Sequence, residues 1–184
     1  MNAHFWFRAR RPAARLGLKG PDAPRLLQQA GVLIPEPNAI TRTAGDSGLS
    51  RCLRLGYTEF LLEQDTGTDA IERLRALAAT EQRAHSVLRC DYSVLLGGSG
   101  LFDELARLCT FDFASLQARP HTAVMTLAAG ISVTLALDSI ESADNGAGAA
   151  PVLRLWTDAS FGKYFEQTLH SLASPSASSH GEPR

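Results

Sequence analysis

An α+β fold, with helices packed on one face of an antiparallel sheet, is what this sequence predicts, and three observations carry the prediction. Apolar residues recur at three- and four-residue steps over 69–83 and 159–172, as on the buried stripe of an amphipathic helix. Apolar runs of strand length lie between such stretches, bounded by glycine, proline and asparagine. Their order groups strands in pairs before a helix, unlike the strict alternation of a parallel sheet.

Residues 14–19 read as a strand stopped by Gly20-Pro21, and 22–30 as a helix with Leu26 and Leu27 inward and Gly31 as its stop. Pro35, Pro37 and Asn38 impose an extended loop, and 45–48 have the composition of an exposed turn. Strands follow at 51–55 and 59–64. In the first, Cys52 and Arg54 alternate with Leu53 and Leu55. The helix at 69–83 places Ile71, Leu74, Leu77 and Ala78 on one face, with Asp69 and Glu72 at capping-box spacing. A broad apolar strand is expected over 85–96, broken by Gly97-Gly98-Ser99-Gly100, then a short helix over 101–108. Residues 112–122 read as irregular. Strands 123–128 and 131–137 turn at Ala129-Gly130. After a Gly-, Ala- and Asp-rich loop over 138–150 come a strand at 152–156 and the helix at 159–172. The expected organisation is an N-terminal arm (1–13), one α+β domain (14–173) and a disordered tail (174–184) too poor in apolar residues to offset its ordering entropy.

The chain has 184 residues, 45% hydrophobic and 20% charged, a composition that folds as a globular domain and buries about 70% of its unfolded surface without staples. A net charge of −1 argues against a nucleic-acid partner. The one basic cluster, Arg8, Arg10, Arg11 and Arg15 with Lys19 behind, has no stacking platform beside it and reads as a solvated arm. Three scattered cysteines, Cys52, Cys90 and Cys109, fit free thiols in a cytoplasm, with Cys90 expected as a small buried hydrophobe. The polar, basic start is unlike a secretory leader, and no run reaches the ~18 apolar residues of a membrane span. A soluble cytoplasmic protein is expected.

Gly97 to Gly100 before a helix could cradle an anion, but lacks the Lys-Ser/Thr of a P-loop and the dinucleotide spacing, so a strand-to-helix turn is the simpler reading. His4, His85, His121, His170 and His180 have no local metal-ligand spacing. No nucleophile elbow occurs. Asp65, Asp91, Asp103 and Glu104 could serve as acids or bases, yet each fits equally in a turn or at a helix start. The stripe Phe161, Tyr164, Phe165 reads as core or as a partner surface. Phe5, Trp6 and Phe7 are costly to leave in water, so either the arm folds back or another chain covers it. Polar side chains thus read as dispersed caps and turns. No catalytic, cofactor-binding or metal-binding residue is assigned.

Several motifs nevertheless have a familiar order. Ala14 to Pro21 with Pro35, Pro37 and Asn38, then Arg54-Leu55-Gly56 before Glu59-Phe60-Leu61-Leu62, resemble the gamma subunit of heterotetrameric sarcosine oxidase, with Phe60 where that family has tryptophan. Leu96 to Gly100, Leu105 to Cys109 with Asp112, and Asp158 to Phe165 are similar to its later segments. The resemblance implies an aminomethyltransferase-like, folate-binding superfamily fold shortened to a ferredoxin-like portion. It implies a non-catalytic structural subunit, with no active site of its own, in an oxidoreductase complex. That complex oxidises N-methyl or secondary amines and captures the one-carbon unit on tetrahydrofolate. The implied partners are an alpha subunit with NAD and tetrahydrofolate, a beta subunit with FAD, FMN between these two, and a small delta subunit with zinc. The alternative is a free-standing folate-dependent aminomethyltransferase-like enzyme or a folate-binding accessory protein.

Overall fold

The computed structural model describes residues 4–45, 48–67, 69–141 and 150–173. The expected tail over 174–184 and the centre of the expected loop over 138–150 lie outside them. In chain order the elements are β1 (Trp6–Arg10), β2 (Ala14–Lys19), α1 (Ala23–Gln29), β3 (Ile40–Gly45), β4 (Gly48–Arg54), β5 (Glu59–Gln64), α2 (Asp69–Ala79), β6 (His85–Val87), β7 (Asp91–Gly97), α3 (Leu101–Ala106), α4 (Ser115–Ala118), β8 (Ala123–Ala128), β9 (Ile131–Glu141), β10 (Ala150–Asp158) and α5 (Gly162–Ala173). A single 3₁₀ turn, Ala159–Phe161, leads into α5.

The strands build two antiparallel sheets instead of the single sheet expected. Sheet I has the order β1-β7-β10-β9-β8 and sheet II the order β3-β4-β5-β2-β6. Their inner faces pack on each other through Ile40, Leu53 and Leu61 from sheet II against Ala123, Ala136 and Trp156 from sheet I. Helices cover the outer faces. On sheet I, Leu101 and Leu105 of α3, Leu116 of α4 and Phe165, Leu169 and Leu172 of α5 meet Val94, Leu96, Val133, Leu135, Leu137, Leu153 and Leu155. On sheet II, Leu26 and Leu27 of α1 and Ile71 and Leu74 of α2 meet Leu16, Leu18, Cys52, Phe60 and Leu62. Each sheet therefore carries helices on one face, and the whole is a four-layer α/β/β/α sandwich.

This layering explains where the sequence misleads. A strand buried on both faces loses the period of two, and Phe60 to Gln64 of β5 are all buried. The expected strand over 85–96 is two strands: β6 belongs to sheet II and β7 to sheet I, and the linker between them crosses from one sheet to the other. Cys90 sits on that linker and is exposed, a correction to its expected burial, whereas Cys52 and Cys109 are buried. β3 and α4 were not foreseen.

The N-terminal arm folds back. β1 pairs with β7 at the edge of sheet I, Phe5 is buried, and the Phe7 ring meets His170 of α5 edge-on at 4.7 Å. The glycine run seats this arm: a Cβ at Gly97 would lie 2.3 Å from the Trp6 ring, and Gly100 N–H donates to the His4 carbonyl at 2.6 Å. The cradle considered for an anion is filled by the chain itself. Of the aromatic stripe on the last helix, Phe165 is core, while Phe161 and Tyr164 face outward.

Candidate functional site

Charged side chains occupy one half of the layer between the sheets. Strand alternation points Arg15 of β2, Arg42 of β3, Arg51 of β4 and Glu63 of β5 toward sheet I. It points Ser93 of β7, Asp138 of β9 and Arg154 of β10 toward sheet II. Arg154 is 1% exposed and Glu63 0%. Burial of bare charge costs several kcal/mol per ion, so these groups must pair.

They pair in a closed circuit. Arg154 donates through Nη1 to Glu63 Oε2 at 3.1 Å and through Nε to Asp138 Oδ1 at 3.0 Å. Arg51 donates through Nε to the same Asp138 Oδ1 at 2.9 Å and through Nη1 to Asp65 Oδ2 at 2.7 Å. Asp65 Oδ1 returns to Arg154 Nη1 at 3.5 Å. Glu63 also accepts from Arg15 Nε at 2.7 Å. Arg15 then reaches the Asp91 carbonyl and Ser93 Oγ, which in turn donates to the Arg10 carbonyl. A β-bulge falls where Leu153 pairs with Leu137 and Val152 with Ser139, so Asp138 is the extra residue that the strand offers to the circuit.

Arg42 is the exception. Its Nε and Nη2 are buried without hydrogen-bond partners. Burial lowers its pKa, and the nearby Arg51 and Arg154 guanidiniums add to that against the attraction of Asp138. The Cys52 thiol, also buried, is pushed up to about 12 and stays protonated.

The structure thus corrects the expectation of dispersed polar groups. Asp65 joins the circuit, and Asp91 is held bidentately by Arg89 at 2.6 and 3.0 Å. Asp103 lies in the first turn of α3, and Glu104 accepts from Arg107 at 2.7 Å. The residues missed, Arg51, Glu63, Asp138 and Arg154, carried one signal: a charge set at an inward position of a strand. Glu63 after Phe60-Leu61-Leu62 and Arg154 between Leu153 and Leu155 show it. Chemically, carboxylates so engaged by guanidiniums tie the two sheets together. Among the described residues no group of three or more His, Cys, Asp or Glu is arranged to hold a metal ion, and no helix is long and apolar enough to cross a membrane.

An open cleft of about 910 Å³ lies where sheet I extends past sheet II. Met125, Thr134 and Trp156 form one cross-strand row of its floor, and Leu127 and Ser132 the next. The linker Leu88 to Cys90 and the first residue of β7, Asp91, wall it. Trp156 is buried with its Nε1 unpartnered, while Leu88, Met125 and Leu127 are exposed.

The layered architecture has counterparts among solved structures. The chain is similar to a chain of heterotetrameric sarcosine oxidase from Corynebacterium sp. U-96, in complex with pyrrole 2-carboxylate. The TM-score is 0.69 and the identity 22%, over 94% of this chain and 84% of that one. The two share a fold. It is also similar to the glycine cleavage system aminomethyltransferase T from Bartonella henselae, with TM-score 0.65 and 11% identity over 91% of this chain. It spans 46% of that protein's chain, about half its length. No protein-family model matches the sequence, and no curated protein does. The fold is therefore α+β, with two antiparallel sheets and five helices among the described residues, and consistent with an aminomethyltransferase-like fold.

Proposed function

We propose that this chain is a non-catalytic structural subunit, of the gamma type, in a cytoplasmic flavin-dependent complex that oxidises N-methyl or secondary amines. The observation that carries the reading is the likeness to a chain of heterotetrameric sarcosine oxidase, over 94% of this chain and 84% of that one at TM-score 0.69. The order of motifs from Ala14 to Phe165 supports the same reading. So does the interior: carboxylates clamped by guanidiniums between the sheets make a stiff body suited to buttressing a neighbour. On this reading FAD, FMN, NAD, tetrahydrofolate and zinc belong to the partner subunits, where the one-carbon unit passes to tetrahydrofolate.

The test is recovery of the tagged full chain from its native host, with a visible absorption spectrum of what accompanies it. Flavin absorption in fixed proportion to the chain, with amine-dependent bleaching, is the expected result. A colourless chain that turns over a substrate alone would end the proposal. The likeness to aminomethyltransferase T favours a second reading, a folate-dependent enzyme or folate-binding accessory protein. Its signature is a partner-free chain that binds tetrahydrofolate.

A further inference from the structure

Several exposed arginines of this chain meet a carboxylate: Arg25 with Glu81, Arg83 with Asp22, Arg107 with Glu104. Arg8, Arg10 and Arg11 meet none. Among the described residues their side chains have no ion-pair or hydrogen-bond partner; Arg8 and Arg11 are exposed and Arg10 is half-buried. The chain holds 18 basic and 19 acidic side chains, so these unpaired cations are a local excess on an otherwise acidic molecule.

They sit at an open edge. β1 is the end strand of sheet I and pairs only with β7. Among the described residues no backbone bond from a loop or helix reaches Trp6 to Arg10; the nearest, from Gly100 N–H to the His4 carbonyl, falls before the strand. The Arg10 carbonyl accepts from the Ser93 hydroxyl, so the open stretch is Trp6 to Ala9. Alternate N–H and C=O groups of an end strand turn away from its neighbour. The side chains are sorted as well. Phe7 turns to α5, so strand alternation sends Trp6, Arg8 and Arg10 to the opposite face, in one row with about 7 Å between successive members. Trp6 lies over Gly97 and gives the row an apolar end.

We infer that the β1 edge docks an acidic extended segment of a partner subunit, which continues sheet I and sets carboxylates at alternate positions against Arg8 and Arg10, with an apolar side chain over Trp6. An added strand repeats the side chains of one face at the same spacing, so residues two apart meet the two arginines. Backbone pairing supplies affinity, and guanidinium–carboxylate pairs supply the choice of partner. Charge disfavours the rivals. A second copy adding its own β1 would set arginines against arginines. A nucleic-acid strand running beyond this short row would meet the acidic remainder of the chain. The inference rests on the proposed function, to whose partner subunits it gives a docking edge.

The experiment recovers the full tagged chain from the native host as wild type, Arg8→Glu/Arg10→Glu and Arg8→Lys/Arg10→Lys. Neither arginine holds another side chain, so all three should melt within about 2 °C of one another. The expected result is at least about a tenfold loss of co-recovered flavin in the glutamate variant and a smaller loss in the lysine variant, which keeps the charge but not the planar fork. Recovery of the wild-type complex should weaken as salt rises, and amide exchange over Trp6 to Ala9 should be slower in that complex than in the isolated chain. Flavin recovery untouched by the glutamates, or unchanged exchange within a flavin-bearing complex, overturns the docking edge and leaves the proposed function standing. Equal losses in the two variants would mean that charge is not what is read, and overturn the acidic occupant. A wild-type chain that brings no flavin overturns both proposals. A single-stranded oligonucleotide bound by the isolated wild type and released by the glutamates makes nucleic acid the occupant, and a dimer of the isolated chain that the glutamates disperse makes it a second copy; either overturns the inference.

Discussion

Glu63→Leu and Arg154→Met, made singly and together, test whether the buried circuit is one unit. Glu63 is 0% exposed and accepts from both Arg154 and Arg15. Its removal leaves two guanidiniums between the sheets with fewer counter-charges, and losing one member of a buried pair costs about 3–5 kcal/mol. Arg154→Met strips one donor from each of Glu63 and Asp138, but Arg15 and Arg51 still hold those carboxylates. Its cost belongs at the lower end, about 3 kcal/mol. In the double variant the cation and the anion leave together, so the total should be about 3–4 kcal/mol, well short of the sum. The coupling is then about 3 kcal/mol, as for residues in one network. Urea denaturation followed by circular dichroism measures all three, and each kcal/mol lowers the melting temperature by about 2–4 °C for a chain of this size. Additive costs within about 0.5 kcal/mol, or single costs below about 1 kcal/mol as for exposed ion pairs, would refute the reasoning.

Arg42→Met removes a guanidinium whose buried Nε and Nη2 have no partners, so denaturation should show a gain of about 1 kcal/mol, where a loss would mean the group is paired in solution. Gly20→Ala should cost about 3 kcal/mol or more, because φ is +128° there and the new Cβ would meet the Arg83 carbonyl oxygen at 2.2 Å. Gly31→Ala, with φ +75° in open space, should cost only about 1 kcal/mol. Native-state thiol labelling should modify Cys90 quickly and leave Cys52 and Cys109 silent until denaturant is added, since only Cys90 is exposed and the Cys52 thiol is held up at about 12. Asp158 accepts from the hydroxyl and backbone N–H of Ser160, which lowers its pKa below the ordinary aspartate value. Its support of the turn is therefore present above the unfolded-state pKa and lost as pH falls through the lower folded value. Carboxyl NMR titration should show that midpoint rising in Ser160→Ala.

Much of the secondary structure was legible in the residues themselves. β2, β5 and β8 stand where alternating or apolar runs met glycine and proline stops, and α2 and α5 follow their three- and four-residue stripes. Such signals survive because they depend on near neighbours and on which face is wet. The run over 85–96 was not legible as two strands, because polar residues between apolar ones, Arg89 and Asp91 among them, read as alternation within one strand and no local signal marks a change of sheet there.

Sequence alone determined the class of element at most positions and the near-neutral charge. Only the tertiary structure decided that there are two sheets and that Glu63 and Arg154, 91 positions apart, share a bond. The physical reason is the same in each case. A charge within a strand looks like a solvated face until a second sheet is laid over it, and pairing at that distance is chosen by desolvation and packing, which no local pattern encodes.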